Sequence, residues 1–190
     1  MKEGSQNMNK DILKKIANGL NELDCTWAIG GSVMLNHFGL VEKPNDIDIL
    51  IDASHSDKVK EFMNSIGTYV ELPSKSPFKT KEFFGYIVDG IMVEFLGDFK
   101  IELENGKVYE FILDECAIKE YMIVDGVKVN LTTLEDWFVA YGVMKDPKKR
   151  TPLLKKYFSK YGIKYRDLLE RNKNNNLPID VKLDIESILL

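Results

Sequence analysis

The sequence predicts an α/β (α+β) fold: a mixed sheet flanked by helices, with a small C-terminal helical segment. Three observations predict it. Helical and strand-like periods alternate through the first half of the chain. Two Asp-Gly pairs, Asp89-Gly90 and Asp125-Gly126, each separate apolar runs, the pattern of a tight β-hairpin. From Thr132 onward the apolar residues keep mainly helical spacing. Elements in this order pack as helices on a sheet, followed by a helical tail.

The first element is "NKDILKKIANGLNELD". It places Ile12, Ile16 and Leu20 at steps of four, with Leu13 and Leu23 alongside, so it is an amphipathic helix. "CTWAI" reads as a buried strand ending at Gly30-Gly31. "SVMLNHFG" is a short helix with Ser32 as its N-cap and Gly39 as its stop. "DIDILID" is the next strand. "SDKVKEFMNSIG" is helical, with Val59, Phe62, Met63 and Ile66 on one side, and "TYVEL" is a short strand. "FFGYIV" and "IMVEFLG" form one hairpin, "YMIV" and "VKVNL" the other. "TTLEDWFVAYGVMK" opens a helix, with Thr132 and Glu135 in a capping-box pattern. "PLLKKYFSKYG" and "IKYRDLLERNK" are two more helices, "NKNNNLP" is a loop, and "IDVKLDIESILL" is a final helix. The division is a sheet domain over 1–131 and a helical segment over 132–190 packed on it.

Length and composition set bounds. A chain of 190 residues with 44% hydrophobic and 29% charged residues is an ordinary globular domain with a small appendage. No apolar run approaches the roughly 20 residues that span a bilayer. The N-terminus lacks an apolar signal core, so a cytoplasmic protein is expected. Cys25 and Cys116 belong to no CxxC or Cys/His cluster, which argues against a zinc site or disulfide framework and for buried, reduced thiols. His37 and His55 sit in no triad pattern with a serine or cysteine. The net charge of −4 conceals an asymmetry: Lys145–Lys173 holds eleven Lys/Arg against three Asp/Glu, a net of +8. Such a segment is either a polyanion contact or a solvated helical face.

The strand "DIDILID" carries the chemistry. Residues two apart on a strand face the same way, about 7 Å apart along the chain. Asp46 and Asp48 therefore point off one face while Ile47 and Ile49 enter the core. Two carboxylates this close repel unless a cation joins them. Mg²⁺ takes oxygen ligands, commonly one or two carboxylates plus substrate phosphates. Upstream, Gly30-Gly31-Ser32 lies where a strand ends and a helix begins. Glycines let the backbone approach a ligand, and the free N–H groups of a helix start suit a phosphate. Glu94 stands between Val93 and Phe95 in an apolar strand, a third charge where the pattern calls for none. The bland alternatives are aspartates capping a strand end, with a turn at Asn45-Asp46, and an edge-strand Glu94 facing solvent. Lys75, Lys79 and Lys81 lie in the loop before the hairpin, solvated or within reach of a triphosphate.

Ile29-Gly30 before Gly31-Ser32, thirteen residues, then Asp46-Ile47-Asp48-Ile49 resembles the signature of the DNA polymerase β-type nucleotidyltransferase superfamily. "DGIMVEFLGDF" and "VKVNLTTLEDWFVAYGVMK" are similar to a group of small nucleotidyltransferases of uncharacterised function. The resemblance covers roughly residues 8 to 160. It implies a nucleotidyltransferase-like fold and NMP transfer from an NTP to a hydroxyl acceptor by a two-metal mechanism. Asp46, Asp48 and Glu94 would be the catalytic residues and ligands of Mg²⁺ or Mn²⁺, and Gly30, Gly31 and Ser32 would hold the nucleotide. The acceptor could be RNA, a protein or a small molecule. The alternative is a non-catalytic nucleotide-binding or regulatory module, such as part of a toxin–antitoxin pair. One departure favours it: many relatives carry a Lys in the helix after the "LED" cap, where Val143 stands here, with Lys145 two residues on.

Overall fold

A computed structural model describes residues 3–44 and 46–190. The turn expected at Asn45-Asp46 falls partly on Asn45, outside the described residues. The chain runs through α1 (Glu3–Glu22), β1 (Trp27–Ile29), α2 (Gly31–His37) and β2 (Ile47–Ile51). A 3-10 turn (Ala53–His55), α3 (Ser56–Asn64) and β3 (Thr68–Glu71) follow. Next come β4 (Glu82–Val88), β5 (Ile91–Gly97), β6 (Lys100–Glu102), β7 (Val108–Glu110), β8 (Glu120–Val124) and β9 (Val127–Leu131). The last helices are α4 (Leu134–Val143), α5 (Arg150–Tyr161), α6 (Arg166–Lys173) and α7 (Ile179–Leu189).

Seven strands form one mixed sheet in the order β3-β4-β5-β2-β1-β9-β8, and β6 pairs with β7 in a small second sheet. β2 lies at the centre, antiparallel to β1 and parallel to β5. The Asp-Gly pairs make both hairpins. Asp89 and Gly90 have φ of 49° and 82°, and Asp125 and Gly126 have 47° and 83°. Two successive left-handed residues are what a two-residue primed turn requires.

Apolar spacing accounts for the packing. Ile12, Ile16 and Leu20 of α1 are buried, as are Val59 and Met63 of α3. On one face of the sheet Phe84 stacks on Phe95 with centroids 5.1 Å apart, and Tyr86 meets both edge-on. Helix α4 is buried on nearly every side, as a helix apolar all round must be. Its Trp137 packs against Phe99 and Phe111, and its other faces receive α5, α6 and α7.

Several local expectations are corrected. Ser32 is not the N-cap of α2: the helix begins at Gly31, Gly30 is the cap, and no side chain caps it. The cap of α4 is Thr133, whose hydroxyl accepts from Asp136 N. Thr132 instead donates to Ile29 O and accepts from Trp137 Nε1, and Glu135 accepts from the N–H groups of Lys164 and Tyr165. The cap expected at Thr132 is thus shifted by one residue to Thr133, because Thr132 is taken up by the end of β1. Cys25 is half-buried and Cys116 is exposed, so the expectation of two buried thiols fails. Cys116 lies in a tight turn closed by the Asp114 carboxylate on Ala117 N, which leaves its side chain outside the core.

Candidate active site

The glycine pair is fixed by its neighbours. A Cβ on Gly30 would stand 2.2 Å from the Trp137 ring. Gly31 has φ +53°, and a Cβ there would stand 1.8 Å from Asp48 Oδ2. The start of α2 is therefore pressed directly against the Asp48 carboxylate. Gly30 N donates to Asp48 O at 2.9 Å, which ties the end of β1 to β2 at the same level. Ser32 Oγ donates to Asp46 Oδ1 at 3.2 Å and lies 3.3 Å from Asp46 O.

The parallel pairing of β2 with β5 sets Asp48 directly beside Glu94. Opposite Glu94 on β4 is Gly85, which adds no side chain there. Asp46, Asp48 and Glu94 are all half-buried. Burial, then the negative charges of Asp46 and Glu94, push the Asp48 carboxyl up to about 7. Burial and Asp46 also raise Glu94. In both cases the only opposing charge of note is Lys148. Among the described residues none of the three acids forms an ion pair with a basic side chain.

A cavity of about 380 Å³ opens over Asp48 and Glu94. Gly31, Ser32, Asp48 and Glu94 line its polar floor, and Phe83, Phe99, Trp137 and Tyr141 line an apolar wall. Lys75, Lys148 and Arg150 bring positive charge to it. Of the three loop lysines only Lys75 reaches the cavity. Lys79 pairs with Glu102 at 3.1 Å and Lys81 with Asp98 at 3.9 Å.

Lys148, Arg150 and Tyr141 were not among the residues expected at the site. Tyr141 was legible in principle: Trp137, Tyr141 and Met144 sit at helical steps of four and three and all face the cavity. Lys148 was not. It follows α4 in a turn where Lys145, Asp146 and Lys149 all take left-handed backbone conformations, which no simple period predicts. Val143, two residues from Tyr141 and so on another side of the helix, is buried outside this cavity. Lys145 is paired with Glu104 and also lies outside it.

Among the described residues no group of three or more His, Cys, Asp or Glu side chains is arranged to hold a metal ion as it stands. The donor set nevertheless suits a hard divalent cation. It is oxygen only, burial and the mutual repulsion of its members raise the Asp48 carboxyl, and among the described residues no basic side chain pairs with it.

No protein-family model and no curated protein matches the chain. Solved structures do. A candidate nucleotidyltransferase of Thermotoga maritima, TM1012, superposes with a TM-score of 0.60 at 25% identity over 79% of this chain and 92% of that one. The antibiotic-resistance factor ANT(2'')-Ia in solution gives a TM-score of 0.60 at 13% identity, covering 95% of this chain and 92% of its own. Its crystal structure with adenylyl-2''-tobramycin gives 0.56 at 13% identity, covering 96% and 99%. The chain has the fold of the nucleotidyltransferase superfamily.

Proposed function

We propose that this protein transfers a nucleoside monophosphate from an NTP to a hydroxyl acceptor. One observation carries the reading: Asp48 and Glu94 stand side by side on parallel central strands, with the glycine start of α2 pressed against the Asp48 carboxylate. A structural role would not concentrate mutually repelling acids at the floor of a cavity, because unpaired buried carboxylates are destabilising.

Asp46, Asp48 and Glu94 would hold the divalent cations, Mg²⁺ or Mn²⁺. When bound, such ions would neutralise phosphate charge and favour the ionised form of the acceptor hydroxyl. Ser32 and the N–H groups at the start of α2 face the phosphates, with Lys148 and Arg150 opposite. The acceptor oxygen forms a bond to the α-phosphorus, the bond from that phosphorus to the β-bridging oxygen breaks, and pyrophosphate leaves with the electron pair. Glu94, beside Asp48 on the neighbouring strand, takes the acceptor's proton.

The Val143 departure is the one feature that favours the non-catalytic alternative. Val143 is buried and lines a second cavity with Lys145 and Asp146, whereas Lys148 and Arg150 bring positive charge to the cavity over the acids. ANT(2'')-Ia, seen with an adenylylated antibiotic, is consistent with a small-molecule acceptor. Calorimetric titration with each NTP tests the binding half of the reading. Saturable binding should require Mg²⁺ and vanish with EDTA, and equal affinity in its absence would refute the metal-dependent site.

A further inference from the structure

Among the residues lining the cavity, Tyr141 is the aromatic that carries a hydroxyl. Its side chain is 8% exposed and packs on Trp137 with ring centroids 5.1 Å apart. Buried tyrosines normally bond their hydroxyl. Here buried Tyr86 bonds its Oη to Asn64 at 2.9 Å, and Tyr109, whose Oη has no partner, is enclosed away from this cavity. Tyr141 Oη has no hydrogen-bond partner among the described residues, although Tyr141 lines the cavity over the acids. It feels the negative charges of Asp48, Asp146 and Asp46 and the opposing charge of Arg150. Together with burial these charges keep the phenol protonated, so it can act only as a neutral donor or acceptor.

We propose that the Tyr141 hydroxyl positions the substrate by donating a hydrogen bond to a non-bridging oxygen of the triphosphate. This rests on the nucleotidyltransferase reading above. A donor beside the Arg150 guanidinium selects an anionic oxygen in preference to an uncharged hydroxyl. The rigid helix and the Trp137 packing fix the donor before the ligand arrives, so its bond costs little ordering. Its partner is missing from the protein itself, which is the condition in which an unmade hydrogen bond favours ligand binding.

Calorimetry on the wild type and Tyr141→Phe tests this, using Mg²⁺ with the α,β-methylene analogues of ATP and GTP and, separately, Mg²⁺ with inorganic tripolyphosphate. The variant should bind whichever nucleotide analogue the wild type binds, and tripolyphosphate, about tenfold more weakly, in a common ratio. Its melting temperature without ligand should be unchanged, because no protein bond is lost. Equal affinities would overturn the inference while leaving the nucleotidyltransferase reading intact. Weaker nucleotide binding with unchanged tripolyphosphate binding would place the contact on the nucleoside and also overturn it. So would a lower melting temperature without ligand, which would make the hydroxyl structural. A wild type that binds none of the probes would overturn both readings.

Discussion

Asp48 concentrates the cost of the site in one carboxyl. The folded protein holds its proton up to about pH 7, whereas an unfolded chain releases it near 3.9. Between these values the folded state binds the extra proton, so this group makes stability fall as pH rises from about 4 to 7 and then level off. The loss is of the order of 2–4 kcal/mol at neutral pH. Asp48→Asn should flatten that slope and leave the metal-free protein more stable than wild type at pH 8, as read by urea unfolding at pH 5 and 8. A less stable variant at pH 8 would make Asp48 a structural residue. Gly31 offers a second test at this scale. Gly31→Ala should cost more than the ~1 kcal/mol expected for a left-handed position alone, since its Cβ would displace the Asp48 carboxylate. Gly39→Ala is the comparison, with φ +72° and open space around it. Equal losses in urea unfolding would mean that the close approach at Gly31 relaxes freely. The glycines and both aspartates were legible because their spacing sets them against the apolar pattern. The approach of Gly31 to Asp48 was not, because it depends on the antiparallel pairing of β1 with β2.

At the scale of elements, the hairpins and the long helices were legible for a local reason. Asp-Gly admits the left-handed pair that a tight turn needs, and steps of four mark a buried helical face. Strands β6 and β7 were not, since three residues hold too little of any period, and they meet only through β-pairing across a loop. The turn after α4 was equally opaque. Its backbone is held by the Asp146 carboxylate, which accepts from Arg150 N and Thr151 N at 2.5 and 2.8 Å and so caps α5. That turn sets Lys148 and Arg150 at the cavity, while Lys145 pairs with Glu104 elsewhere. Lys148→Ala should weaken Mg²⁺–NTP binding about three- to tenfold and reduce its salt dependence. Lys145→Ala should leave both unchanged. Equal effects of the two in titrations at 50 and 300 mM salt would show that the turn supplies only general charge.

Across the whole molecule, one apolar core joins the sheet to α4 and the helices behind it. The +8 segment, read from the sequence as a polyanion contact or a solvated face, is in good part neutralised from within. Lys155 pairs with Asp184, Lys164 with Glu120, Arg171 with Asp114, and Lys173 with Glu186. Such pairs were invisible in the sequence because their acids lie up to 57 residues away. Binding to total tRNA should therefore be weak at 50 mM salt and lost at 150 mM, and tight binding that persists at 150 mM would restore a polyanionic acceptor.

The central claim is metal-dependent transfer that depends on the paired acids. Its most direct test is incubation of the protein with each NTP, Mg²⁺ and a cell extract, followed by mass spectrometry of small molecules, RNA and protein. Wild type should add the mass of one NMP to an acceptor and release pyrophosphate, whereas Asp48→Asn and EDTA-treated wild type should do neither. Transfer undiminished by Asp48→Asn, or by removal of the metal, would contradict the account.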